Sequence, residues 1–284
     1  MTTTLTASGR RNARSVAWHL GALALLAVVL YPVVWVIGAS LKPGDQIIGS
    51  LQLLPGHPIA ANYRRLTEGI ADIPIYSFFV NSLFVALGSV IGVLFSCSLA
   101  AYAFARIRFA GRNLLFTLMI GTLLLPYHVL IIPQYVLFQK LGLINTYVPL
   151  LLGKYLAVDA FFVFLMVQFM RNLPRELDEA ARLDGCGHLR IYWSIVLPLC
   201  RPALAVVAIF SVIWRWNDFL WPLIVAQDES VQTLPVAIAR FAGQQAIPFN
   251  QILAVSVVSI VPVIVLFLLL QRQIIAGLVR GAVR

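Results

Sequence analysis

The sequence predicts an all-α membrane protein of six transmembrane helices with both termini cytoplasmic, and three observations predict it. The 284 residues are 61% hydrophobic and only 11% charged, with a mean hydropathy of +0.90, a composition that no water-exposed globular surface tolerates. Six stretches reach the roughly 20 apolar residues a helix needs to cross about 30 Å of hydrocarbon; they run near 16–38, 77–104, 113–133, 147–170, 202–226 and 251–271. The basic residues are also distributed unequally between the alternate connections. Because hydrocarbon offers no partner to a backbone amide, apolar runs of this length must be helices rather than open strands.

The first stretch follows a short tail, 1–15, that carries Arg10, Arg11 and Arg14. A basic start before an apolar run also describes a cleavable leader, but this run has the length of a full span, so it is expected to stay as the first helix. The connection from Ser40 to Tyr76 holds the turn-rich run Leu54, Pro55, Gly56, His57, Pro58 and then Asn62 and Tyr63, and is too short for a domain. Spans two and three are joined by the short basic link Ala105 to Arg112, as expected of an antiparallel helical hairpin. The third span is expected to end near Pro133. The last outer connection, Gln227 to Asn250, carries Thr233, Leu234, Pro235 and the Gly243, Gln244, Gln245 turn. Residues 1–284 read as a single transmembrane domain.

With the N-terminus cytoplasmic, the inner side receives Arg10, Arg11, Arg14, Arg106, Arg108, Arg112, Arg171, Arg175, Arg182, Arg190, Arg201, Arg272, Arg280 and Arg284, which is 14 of the 21 basic residues. The outer side receives Lys42, Arg64, Arg65, Lys140, Lys154 and Arg240, and Arg215 falls inside the fifth span. This asymmetry follows the positive-inside rule, so the formal charge of +10 is explained by topology and not by nucleic-acid binding. Cys97, Cys186 and Cys200 fall in a span, an inner loop and the inner membrane face, where no extracellular disulfide forms.

The inner connection between spans four and five, 171–201, carries the most information. Pro174 suits a first helical turn, and Glu176, Asp178 and Glu179 then favour the positive end of the helix. Leu177, Ala180 and Ala181 are expected on one face, with a stop at Gly185 or Gly187. A second short helix would present Leu189, Tyr192, Ile195 and Val196 and end at Pro198. The small residues Ala180, Ala181 and Gly185 at the bend permit close backbone approach, so this elbow fits either a groove in another protein or the lipid surface.

The run Glu179, Ala180, Ala181, Gly185, Ile195, Leu197 and Pro198 resembles, in residues and spacing, the EAA loop of binding-protein-dependent ABC importer permeases. Pro32, Trp35, Ser40, Leu41, Lys42 and Pro43, then Asn62 and Tyr63, resemble the carbohydrate branch of that family. So do Trp216, Asn217, Asp218, Phe219, Leu220 and Pro222, although the acid is often Glu there. The tail Gly277, Leu278, Gly281, Ala282, Val283 is similar to that of maltose-type second permeases, but stops at Arg284 where many relatives continue. The resemblance implies a permease domain in the bacterial inner membrane, partnered by a second permease in a heterodimer, two cytoplasmic ATP-binding subunits and an external solute-binding protein. It implies that the elbow couples ATP hydrolysis in the partner to alternating access and uptake of a sugar or sugar-like solute. Consistently, the sequence has no Gly-x-x-x-x-Gly-Lys-Ser/Thr loop of its own.

Candidate residues for the solute pathway are Arg215, Trp216, Asn217 and Asp218 in the fifth span, Asp159 in the fourth and Tyr135 beside the prolines of the third. Arg215 and Asp218 are three residues apart and could equally pair to hold the bundle together. Asp159 has no obvious local partner. His19, His57, His128 and His188 are scattered without metal-ligand spacing, and no cofactor is expected. A gradient-driven transporter is the alternative; it would usually show inverted repeats, and none is evident. A membrane-embedded enzyme would need a clustered catalytic motif, and none is evident either.

Overall fold

The computed structural model describes residues 5–47, 52–53, 55–68, 75–243 and 249–282, with backbone alone for 5–14, 45, 241, 270 and 272–282. Leu54, Gln244, Gln245, Val283 and Arg284 lie outside the described residues, as do the side chains of Arg10, Arg11, Arg14, Arg272, Leu278 and Arg280. Among the described residues the chain is helical without strands. The helices are α1 (Leu5–Ser40), α2 (Ala61–Glu68), α3 (Ile75–Arg106), α4 (Arg112–Thr122), α5 (Tyr127–Lys140), α6 (Val148–Tyr155) and α7 (Ala160–Arg171). They continue as α8 (Glu176–Leu183), α9 (His188–Ile191), α10 (Leu197–Leu199), α11 (Arg201–Trp216), α12 (Leu220–Val225), α13 (Leu234–Gly243) and α14 (Phe249–Ala282).

Among the described residues four helical stretches are long and apolar enough to cross a membrane: Ser15–Ser40, Ile75–Arg106, Val148–Arg171 and Phe249–Leu269. Two bent pairs bring the number to six if each is one span, α4 with α5 at 100° and His188–Leu199 with α11 at 77°. The third stretch, expected over 113–133 with interruptions around Pro126 and Pro133, is broken at the first proline only and extends further. Its break comes at Leu123–Pro126, with Pro126 in extended backbone at the start of α5, and the helix then carries Pro133 within it and runs on to Lys140. The fifth also differs, because α11 stops at Trp216 and only the short α12 follows. The Asn217 amide hydrogen-bonds its side chain to the Ile213 carbonyl at 2.8 Å, occupying an acceptor at the helix end. Arg215 and Asp218 thus flank a helix terminus and do not lie along an uninterrupted span.

The chain divides into two compact units, 1–73 with 241–258, and 74–240 with 259–284. In the first, Ala39, Ile47 and Leu253 form a small core with Trp35 and Val36 against it. Asn62 donates to the carbonyls of Ser40 at 2.7 Å and Lys42 at 3.1 Å, and accepts from Asn250 at 2.8 Å. The Tyr63 hydroxyl meets Ser40 Oγ at 2.6 Å, so the Asn62–Tyr63 pair secures the backbone leaving α1. Apart from His19, the residues of α1 from Val16 to Leu30 are apolar and exposed, the surface a lipid-facing helix presents.

The second unit is organised around α3, which packs most extensively on α7, α11 and α6. Val93, Cys97, Ala101, Tyr102 and Ala105 of α3 meet Phe162, Val163, Met166, Val167 and Met170 of α7 in the main core. Ala203 and Val207 of α11 join it, as do Ala181, Ile191, Tyr192 and Val196 from the elbow. A second cluster collects Val85, Ile131, Phe138, Leu150, Trp221, Val225 and Val231. Beside it Asn81 donates to the carbonyls of Ser230 and Gln232, each at 2.9 Å, and accepts from the Tyr147 hydroxyl at 2.7 Å. The amide and hydroxyl of Ser230 donate to Asp228, and these bonds hold its carboxyl pKa below the ordinary value.

Candidate functional site

The elbow runs from α8 to α10. Arg175 occupies the cap position of α8, so Pro174 precedes the helix and is not in its first turn, while Glu176, Asp178 and Glu179 do occupy that turn. Gly185 follows α8 with φ 80°, a left-handed conformation that glycine adopts without cost from a Cβ. Gly187 has φ −74° and caps α9.

The faces differ from the periodic expectation. Asp178 and Ala181 are the buried pair of α8, whereas Leu177 and Ala180 face outward with Glu179. In the second arm Ile191, Tyr192 and Val196 are buried while Leu189 is 69% exposed. A π turn, Tyr192–Val196, lies between α9 and α10. Its wider winding accommodates Pro198, which has no amide to donate to a regular turn. Consequently Pro198 lies within the arm instead of ending it, and the chain bends after Cys200. Of the motif residues, Glu179, Ala180, Gly185 and Pro198 are exposed, Ile195 and Leu197 half-buried, and Ala181 buried.

Behind the elbow lies a feature not legible in the sequence. Arg106, the last residue of α3, donates Nη1 to Asp178 Oδ2 at 3.2 Å and Nη2 to the carbonyls of Met170 at 2.7 Å and Leu173 at 2.9 Å. Its side chain is 2% exposed and that of Asp178 10%. The guanidinium thus neutralises a buried carboxylate and occupies the Met170 carbonyl in the last turn of α7, at the negative end of that helix, and the Leu173 carbonyl just beyond it.

The intramembrane candidates form a second constellation. Lys154 Nζ pairs with Asp159 at 2.8 and 3.0 Å across the break between α6 and α7, so Asp159 has a partner within the same span-length stretch. Arg215 Nη1 pairs with Asp218 Oδ2 at 2.9 Å. The two ion pairs are each neutral as a unit and part-buried. Trp216 is buried, donating Nε1 to the Ser259 carbonyl at 2.9 Å with the Phe79 ring edge-on at 5.6 Å. Asn217 is exposed, and Tyr135 is half-buried against the second apolar cluster. Trp216 and Tyr135 are therefore not gathered with the charges into one open face. No group of three or more His, Cys, Asp or Glu able to hold a metal occurs among the described residues.

Residues 88–280, which include α7 and the whole elbow, match the family described as binding-protein-dependent transport system inner membrane components. The chain belongs to that family. This permease is 34% identical over 278 residues to the arabinooligosaccharides transport system permease protein AraQ of Halalkalibacterium halodurans, covering 97% of this chain and 99% of that protein. It is 33% identical over 275 residues to the sn-glycerol-3-phosphate transport system permease protein UgpE of Yersinia pestis, covering 95% and 97%. Among solved structures it is similar to a chain of a bacterial ABC transporter involved in the import of the acidic polysaccharide alginate, with a TM-score of 0.79 and 26% identity over 93% of this chain and 97% of that one. The permease is a multi-pass membrane subunit of an ABC importer, and ATP hydrolysis lies in a separate subunit. The family also implies a solute-binding protein and a second permease.

Proposed function

We propose that this permease carries a sugar or sugar-like solute inward through six spans with both termini cytoplasmic, as a single domain over 1–284 in a bacterial inner membrane. It pairs with a different permease and two copies of an ATP-binding subunit, and it receives solute from an external binding protein. The elbow, 171–201, docks on the ATP-binding subunit through the outward motif residues Glu179, Ala180, Gly185 and Pro198 with the half-buried Ile195 and Leu197, while Ala181 seats the elbow on the permease. The observation that carries this reading is the two-sided elbow: Ala181, Ile191, Tyr192 and Val196 are buried in the permease core, while Leu183 is 90% and Leu189 69% exposed. Apolar residues exposed on a structured bend beside acidic and basic groups are what a protein groove would cover. The solute class is supported by relatives named for arabinooligosaccharides and for sn-glycerol 3-phosphate. Arg215, Asp218 and Asp159 serve the pathway mainly through the paired charges that shape its wall, with Trp216, Asn217 and Tyr135 as further lining positions.

The test is purification of the tagged chain from its native operon in mild detergent, with the co-purifying polypeptides identified by mass and a Gly185→Trp variant alongside. An ATPase recovered with wild type and lost with the variant supports both the assembly and the docking position. Failure to recover any ATPase with folded wild type would overturn the assembly and favour a gradient-driven carrier.

A further inference from the structure

Three side chains on one stripe of α3, at positions 98, 102 and 106, each meet a different part of the elbow. Ser98 Oγ and the Tyr192 hydroxyl are 2.7 Å apart and buried. The Tyr102 hydroxyl lies 3.5 Å from His188 Nδ1, and its ring packs on Tyr192 with centroids 5.3 Å apart. Arg106 pairs with Asp178 at 3.2 Å. A spacing of four residues keeps the three on one helix face, over about 12 Å at 1.5 Å per residue. The contacts thus reach α8, α9 and the π turn in succession, and Arg106 adds the end of α7 through Met170 and Leu173.

The arrangement is selective. Both terminal nitrogens of Arg106 are engaged, while its buried Nε has no hydrogen-bond partner among the described residues. Leaving a buried donor unmet is costly, so the side chain is held where its terminal nitrogens join three segments and not where its own hydrogen bonding would be complete. Packing alone could seat the elbow on α3, since Ala181, Ile191 and Val196 already share the core with Ala101 and Ala105. Apolar packing is non-directional, whereas a guanidinium shared by a carboxylate and two carbonyls resists rotation of one segment against another.

We propose that Arg106 is a positioning residue that locks α3, the end of α7 and the elbow into one rigid lever, so that displacement of the elbow by the ATP-binding subunit is delivered to α3 without loss. This rests on the docking role proposed above. It adds that α3, and not only the chain immediately before and after the elbow, receives the stroke.

The experiment uses the whole detergent-purified complex, with Cys186 replaced by Ser and spin labels placed at Arg108→Cys and Arg190→Cys, both exposed. Distances are measured by double electron–electron resonance without nucleotide and after trapping with MgATP and vanadate. A narrow distribution with the same mean in both states is expected for the otherwise wild-type chain. Arg106→Gln and Asp178→Leu should at least double its width while the ATPase still co-purifies. A broad distribution in the wild-type background, or an unchanged narrow one in both variants, overturns the lever. Should these variants fail to assemble, Asp178→Asn, which keeps an acceptor for Arg106 but loses the charge, decides the matter: widening supports the proposal and wild-type width overturns it. Loss of ATPase capture in the wild-type background would defeat the docking role, a result read separately from the label distances.

Discussion

Lys154 and Asp159 face one another across the interruption between α6 and α7, with Nζ 2.8 and 3.0 Å from the two carboxylate oxygens. Around them the interruption is built by neighbouring residues. Ala157 adopts φ 55°, Ser96 Oγ of α3 donates to the Lys154 carbonyl at 2.6 Å, and Gly92 leaves room for Tyr155. A helix can break within an apolar layer only where the freed polar groups are met by protein or water. Here α3 meets one of them directly.

Removing one member of this pair strands the other charge. Asp159→Ala should lower stability by about 3 kcal/mol, the lower end for buried pairs because the two side chains retain 14% and 21% of their exposure. The double replacement Lys154→Met with Asp159→Leu should recover most of that loss. Thermal unfolding of the purified complex by scanning fluorimetry checks both, and a double variant no better than the single would show that the pair does not act as a unit.

Gly92→Ala tests the close approach. A Cβ at Gly92 would lie 2.8 and 2.9 Å from Tyr155 ring carbons and 3.1 Å from the Lys154 carbonyl carbon. Overpacking of this kind costs about 1–3 kcal/mol. Tyr155→Ala in the same chain should relieve the ring contact and restore part of the melting temperature, leaving the backbone contact to account for the remainder.

The two glycines of the elbow should respond differently. Gly185→Ala places a Cβ at φ 80° and should cost about 1 kcal/mol, although no atom lies within 4 Å to clash with it. Gly187→Ala, at φ −74°, carries no such strain and should cost only the few tenths of a kcal/mol, roughly, by which alanine is the poorer cap. Comparing the melting temperatures of the two purified variants separates conformational strain from lost contact.

Asp218→Asn removes the charge that faces Arg215 at 2.9 Å. The expected outcome is reduced stability with solute selectivity unchanged, measured by uptake of a panel of labelled oligosaccharides and glycerol phosphates into cells. A shifted preference within the panel would instead place this carboxylate in contact with solute.

Asn81→Ala deletes two donors to the Ser230 and Gln232 carbonyls and the acceptor of Tyr147. At about 1 kcal/mol for each net bond, the loss should approach 3 kcal/mol. Faster proteolytic cleavage within 226–233 should accompany it, and mass spectrometry of limited digests would detect the change.

The helical character of the chain, its multi-pass membrane nature and the position of the elbow could all be read from the sequence. Each rests on a local quantity: the length of an apolar run, or the spacing of Glu179, Ala180, Ala181, Gly185 and Pro198. The left-handed turn at Gly185 belongs here as well, because a glycine after an amphipathic turn carries its own conformational signal. Where the spans break was less legible, since Pro126 and Pro133 look alike in sequence and only the first stands at a break. In the elbow, Ala181, Tyr192 and Val196 are buried as their spacing predicts, whereas the exposure of Leu177, Ala180 and Leu189 and the burial of Ile191 follow from packing on α3 and α7 that the spacing does not encode. Tertiary structure alone decided which charges meet. Asp178 and Arg106 are 72 residues apart, and the Lys154–Asp159 contact requires a break that turns Asp159 back toward Lys154. Electrostatic pairing depends on distance in space, and neither hydropathy nor periodicity encodes it.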